Sequence, residues 1–248
     1  MRGKLRSRAS KSWHRKTLGD VVGDLAKKND LQLTIEPTLA AKAVAHIDQT
    51  NESDINFLTR LAKLHDAVAT IKKDKLLFFP IGTAANAKGQ ALPTTTITRQ
   101  SGDRHGWRTN ARNSYSGVRA YWYDKGSAKK REAISGTEDN LKTLKQSYAS
   151  EADALAAARA EQGRLTRGDA TFTITLATGD PFLQVQGTFT VRGFKAKIDG
   201  SQWLAKTIEH TLDDQGLVTR LELELKGSGN TSDGGATVLP DDDGAGDE

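Results

Sequence analysis

The chain has 248 residues, 36 Lys and Arg against 31 Asp and Glu for a net charge of +5, and no cysteine. That length supports a substantial core in one or two domains, and the missing thiols exclude a disulfide framework and thiol chemistry, as suits assembly in a reducing compartment. No apolar run approaches transmembrane length, and the start lacks the apolar stretch of a signal peptide.

The charge is unevenly placed. Residues 2–16 carry Arg2, Lys4, Arg6, Arg8, Lys11, Arg15 and Lys16 with no acidic residue among them. Such an arm has two readings: a nucleic-acid arm that neutralises phosphates, or an exposed strand and interface segment. Lys4, Arg6 and Arg8 alternate with Leu5 and Ser7, and Trp13 follows, which favours the lead-in strand.

Residues 17–80 use one pattern twice at an offset of 36, with Leu25-Ala26-Lys27 over Leu61-Ala62-Lys63 and Asp30, Thr34 and Ile35 over Asp66, Thr70 and Ile71. Thr17 is the expected N-cap of a first helix, with Asp20 at the capping-box position. Leu18, Val21, Val22 and Leu25 form its apolar stripe, and Leu31, Leu33 and Ile35 alternate as a strand. In the second copy Asn51 or Ser53 caps, Phe57, Leu58, Leu61 and Leu64 form the stripe, and Ala67–Ile71 and Leu76–Phe79 are strands around a polar turn. Two copies are too few for a solenoid, so a small αβαββ module is expected.

Within the second copy, Gln49-Thr50-Asn51-Glu52-Ser53-Asp54-Ile55-Asn56-Phe57-Leu58-Thr59-Arg60-Leu61-Ala62 resembles the Gln-x-x-Glu-Ser-Asp-x-x-Phe-Leu-x-Arg-Leu-Ala signature of phage late control gene D proteins. That family forms the baseplate hub of contractile tails and is similar to the hub part of type VI secretion spike proteins. Glu52, Ser53 and Asp54 supply capping oxygens and negative charge to a helix start; Phe57, Leu58 and Leu61 supply packing. Gln49, Glu52, Ser53, Asp54, Phe57, Leu58, Arg60 and Leu61 therefore read as a structural motif. The basic run before Thr17 is similar to one that a long barrel-forming region precedes in the family, so the resemblance implies that most of that first barrel is missing from this sequence.

Residues 81–93 are small and polar and read as a linker. A β-rich domain over 94–226 is expected next. Val118, Ala120 and Trp122 share one strand face, Asp124–Ser127 turns, and Ala128–Ile134 returns. Trp107, Tyr115, Tyr121, Trp122 and Tyr123 lie among Arg99, Arg104, Arg108, Arg112 and Arg119, a mixture that serves packing or, alternatively, stacking on single-stranded nucleic acid. Residues 150–167 predict a helix capped by Ser150, with Asp153 at the capping-box position and an alanine-rich packing face. Thr171–Leu176 and Thr188–Val191 alternate as strands, and residues 204–212 and 217–225 predict an antiparallel hairpin with one apolar face. The fold class is α+β: a helix-strand repeat module, then an antiparallel β-barrel domain with one packed helix. The blocks around Tyr148–Glu161 and Gly193–Trp203 also resemble the family. The acidic tail 227–248, with Asp233, Asp241, Asp242, Asp243, Asp247 and Glu248, is expected to be disordered.

Chemistry-bearing patterns are missing from the sequence. His14, His46, His65, His105 and His210 show no metal-ligand spacing, and there is no nucleophile elbow, phosphate loop or dinucleotide fingerprint. Asp241–Asp243 reads as a solubilising run, and Glu138-Asp139 lacks the enclosed setting of a general acid. No catalytic, cofactor-binding or metal site is expected, and no cofactor.

The resemblance implies a structural hub of a contractile phage tail or a tail-derived particle, assembled in the host bacterial cytoplasm and located in the virion baseplate. It implies a homotrimer joining the tail tube and other baseplate proteins to the central spike, with Lys206, Glu209, Arg220, Glu222 and Glu224 on the outer strand face as candidate subunit contacts. Two other classes stand beside it: a cationic nucleic-acid-binding protein, although no helix-turn-helix is evident, and a wall-binding module built on the αβ repeats.

Overall fold

The computed structural model describes residues 5–83, 92–102, 104–110, 115–124, 126–214 and 216–227. Most of the expected linker (84–91) and the acidic tail from 228 lie outside these residues, as do Arg2, Lys4 and Arg112. The fold is α+β, and the chain divides into two compact units, one of residues 1–113 with 163–229 and one centred on 114–162. The span 94–226 contributes to both.

The first unit opens on strand β1 (Arg8–Thr17), helix α1 (Leu18–Lys28) and strand β2 (Gln32–Ile35). After the single-turn helix α2 (Pro37–Ala40) the same succession returns as β3 (Ala43–Ser53), α3 (Asp54–Leu64) and β4 (Ala67–Lys72), closed by β5 (Lys75–Pro80). The repeat is therefore a βαβ unit, beginning one strand earlier than the expected αβαββ pattern. Its backbone repeats at the same offset: Arg15 and Asn51 take positive φ of 51° and 46°, Asp30 and Asp66 of 57° and 50°. β1 pairs antiparallel with β3, and β2-β5-β4 form a separate sheet in which β2 and β5 run parallel.

The longer helices of the two copies, α1 and α3, begin where a hydroxyl replaces a missing intrahelical partner. Thr17 accepts from the Asp20 amide while Asp20 accepts from the Thr17 amide, closing a capping box; at the equivalent place Ser53, not Asn51, accepts from the Asn56 amide. The two apolar stripes face one another in a common core of Trp13, Leu18, Val21, Val22, Leu25, Phe57, Leu58 and Leu61, with Trp13 stacked on Phe57 at 5.2 Å between ring centroids. Each large side chain so buried contributes about 1.5–3 kcal/mol.

The rest of the first unit is a curled six-stranded sheet, a half-barrel in the order β6-β12-β13-β14-β11-β7. Its strands are β6 (Thr95–Thr98), β7 (Arg104–Thr109), β11 (Ala170–Leu176), β12 (Thr188–Arg192), β13 (Gln202–Asp213) and β14 (Gly216–Leu225). All its pairs are antiparallel except β6 with β12. The hairpin falls in the expected register, with Leu212 opposite Leu217, and Gly216 at φ 111° makes its turn, a conformation that a side chain would strain. Phe172, Ile174, Phe189, Val191, Trp203, Leu221 and Leu223 fill the concave face.

The second unit has the three-stranded sheet β10-β8-β9, of β8 (Gly117–Asp124), β9 (Lys129–Gly136) and β10 (Leu141–Tyr148). Val118 and Ala120 are buried in it together with Ala154, Ala157, Ala158 and Ala160 of helix α4 (Glu151–Gly168), whose start is capped by Ser150. β10 was not expected; its polar Leu-Lys-Thr-Leu-Lys-Gln-Ser-Tyr run alternates weakly, and it pairs parallel with β8. The interleaved aromatics fall on two sheets: Trp107 lies in the six-stranded sheet, and Tyr121, under the Lys130 ammonium at 3.9 Å, lies in the three-stranded one.

Candidate functional site

The signature motif folds into one buried polar knot where the two βαβ copies meet. β3 delivers Gln49, which is 2% exposed, and the first residue of α3 delivers Asp54, which is fully buried. Asp54 accepts from Gln49 Nε2 at 2.8 Å, from Asn29 Nδ2 at 2.8 Å and from Lys28 Nζ at 2.9 Å. Lys28 and Asn29 end α1, so one carboxylate joins the C-terminus of the first helix to the N-terminus of the second, where the helix dipole also favours it. Burial pushes the Asp54 carboxyl up, but the three donors outweigh it and hold the group below the ordinary aspartate value.

Around that knot the other motif residues fix the strand-to-helix turn. Arg60 donates to Glu52 Oε2 at 2.9 Å and to the Asp48 carbonyl at 2.7 Å, and its guanidinium lies 4.9 Å from the Phe57 ring centroid. Glu52, Ser53 and Arg60 also border an open cleft of about 420 Å³ with Arg8, Asp48 and Asn56.

A second polar cluster ties the repeat to the half-barrel. Arg167 of α4, only 6% exposed, grips Asp66 with Nη1 to Oδ2 at 2.8 Å and reaches Glu224 of β14 at 3.4 Å. Asp66 is the positive-φ residue between α3 and β4. Gly163 makes its approach possible: a Cβ there would lie 2.9 Å from Asp66 Oδ2. Burial raises the Glu224 carboxyl against the opposing pull of Arg167 and Lys206.

The expected contact residues of β13 and β14 are thus of two kinds. Lys206 pairs with Glu222 at 2.8 Å on the exposed face, and Glu209 stands opposite Arg220 in register. Glu224 instead serves the Arg167 cluster within its own chain. Lys28, Asn29, Asp66 and Arg167 were not singled out from the sequence. The 36-residue offset sets Asn29 over His65 as the helix C-caps of the two copies and Asp30 over Asp66 just beyond them; Arg167 carries no such mark.

The histidines also change standing. β1 and β3 place His14 opposite His46, with their Nδ1 atoms 3.0 Å apart. Among the described residues there is no group of three or more His, Cys, Asp or Glu side chains able to hold a metal ion, and no helix long and apolar enough to cross a membrane.

The family model for the phage tail baseplate hub (GPD) matches residues 2–216. The chain belongs to that family. It is 37% identical to a probable baseplate hub protein of Escherichia phage 186 and 36% identical to that of Escherichia phage P2, in each case over 91% of this chain and 68% of the relative. In fold it is similar to the tail protein from Neisseria meningitidis MC58, with a TM-score of 0.65 and 18% identity over 90% of this chain and 71% of that one. This hub is a structural component of a phage tail baseplate, and the buried knot of the signature motif is part of its framework.

Proposed function

We propose that the hub acts as a homotrimer in the virion baseplate, assembled in the host bacterial cytoplasm, where it joins the tail tube and neighbouring baseplate proteins to the central spike without catalysing a reaction. Membership of the baseplate hub family over residues 2–216 is the observation that carries this reading. The repeat module and the half-barrel act as its two working parts, held in register by Arg167. The outer face of β13 and β14 supplies subunit contacts: Lys206, Glu209, Arg220 and Glu222 alternate in sign there, so copies pair in one register and reject others. Glu224 has its partner in the same chain and contributes to a trimer only by holding β14 in place.

Native mass spectrometry or light scattering, on the hub alone and with the spike, tests the proposal. A trimer is expected at least when the spike is present. A strict monomer that binds neither spike nor tube protein would overturn it. Reversing Lys206 and Arg220 to Glu should weaken the trimer while leaving the monomer's melting temperature nearly unchanged.

A further inference from the structure

Thirty-two residues apart in sequence, His14 and His46 are direct cross-strand partners on the face of the β1–β3 pair opposite the buried Trp13. Their rings stack with centroids 4.4 Å apart and planes inclined by 25°. Nδ1 faces Nδ1 at 3.0 Å. Two imidazole nitrogens bound side by side to one ion at about 2.1 Å lie about 3 Å apart at the right angle of a square-planar nickel or copper sphere, and about 3.4 Å apart at the tetrahedral angle of zinc. The strand register therefore already holds both nitrogens at chelating separation.

The far side of His46 is also arranged. Its Nε2 lies 2.9 Å from Asp48 Oδ2, and that carboxylate also accepts from the Ser12 hydroxyl, the residue opposite it in the ladder. A carboxylate on one ring nitrogen fixes the proton there and leaves the other nitrogen with its lone pair. Asp48 so leaves the lone pair of His46 on Nδ1, the nitrogen beside His14 Nδ1. The His46 and Asp48 side chains are 50% and 45% exposed, which leaves solvent to complete the coordination sphere.

We propose that His14 and His46 form a two-imidazole site for a divalent transition ion of the zinc, nickel or copper class, with Asp48 as the positioning residue. In the metal-free neutral pair one Nδ1 carries the proton shared between the rings. The ion takes that proton's place, and the proton moves through water to the Nε2 of His14, so neither ring changes charge. Both ligands belong to opposite strands, and binding staples β1 to β3. Borderline ions suit imidazole; calcium and magnesium, which require oxygen ligands, are not expected to bind.

Titration calorimetry of the full chain with zinc chloride and with nickel chloride tests the site. One ion per chain is expected, together with a rise in melting temperature. His14→Ala and His46→Ala should each lower the affinity by more than tenfold, and Asp48→Asn by about 10-fold. The electron paramagnetic resonance spectrum of the copper(II) form should show two coupled nitrogens. Because a variant can misfold, a second measurement uses the unaltered protein: substoichiometric copper(II) should broaden the ring-proton resonances of His14 and His46 before those of His65, His105 and His210. Binding that persists equally in both alanine variants, or broadening spread over all five histidines, would overturn the proposal.

Discussion

The two βαβ copies share a backbone and differ in how they use charge. In the first, position 18 is Leu18 and position 13 is Trp13, both buried, with the indole Nε1 donating to Asp24 at 2.9 Å. In the second the equivalent positions hold Asp54 and Gln49, equally buried. One copy is centred on apolar contact and the other on a hydrogen-bonded carboxylate. The polar exchange points forward along the chain: the end of the first helix supplies Lys28 and Asn29 to Asp54, and the turn after the second helix presents Asp66 to Arg167. Apolar periodicity thus builds both units, while the polar departures from the repeat decide what each unit adjoins.

The largest effect that would break the comparison is expected in the shared core. Phe57→Ala should cost about 3–5 kcal/mol in denaturant melts, and Val21→Ala, which removes less volume at the equivalent place, should cost less. Equal costs would mean that the two stripes do not share one core.

Arg167→Ala should also cost about 3–5 kcal/mol, because it leaves carboxylates partly buried without their cation. Glu224→Gln should be far milder, since burial already works against its charge. If the two variants melt alike, the cluster does not hold the second copy to the half-barrel.

Asp54→Leu installs the first copy's residue in the second. It strands the amides of Asn29 and Gln49 and should cost about 1–3 kcal/mol for each unmet donor. The loss should depend on pH. Asp54 has a lowered pKa in the folded state, so its contribution is complete above the unfolded value near 3.8 and is lost as pH falls through the lower folded value. The gap between parent and variant should therefore be constant at neutral pH and narrow in acid; a gap that widens on acidification would show that Asp54 is held protonated.

The caps should separate the copies more finely. Thr17→Ala removes a complete capping box and should cost about 1 kcal/mol, whereas Ser53→Ala removes one bond of 3.4 Å and should cost less. Smallest of all, Lys206→Ala breaks an exposed pair and should shift monomer stability by about 0–1 kcal/mol.

Much of this hub could be read from its sequence. Leu25 over Leu61 and Asp30 over Asp66 gave the repeat, because a helix stripe and a strand alternation are local consequences of backbone geometry. The hairpin 204–225 and the helix capped by Ser150 were legible for the same reason. The signature motif placed Ser53 and Asp54 at a helix start, and chain relatedness over residues 2–216 identified the family. β10 was not legible, since its polar residues carry too weak an alternation, and β3, the first strand of the second copy, was hidden among mixed polar residues.

The partners of the charged and ionisable groups were settled only by tertiary structure. Asp54 looked like a cap and proved to be a buried acceptor for groups 5, 25 and 26 residues away. Arg167 meets Asp66 across 101 residues. His14 and His46 show no ligand spacing along the chain, yet the β1–β3 register sets their nitrogens 3.0 Å apart. Periodicity records which face of an element is apolar, and that depends on neighbours three, four or two residues away. A hydrogen bond or a shared ligand depends on two distant faces meeting at a definite register, and only the packed fold fixes that register.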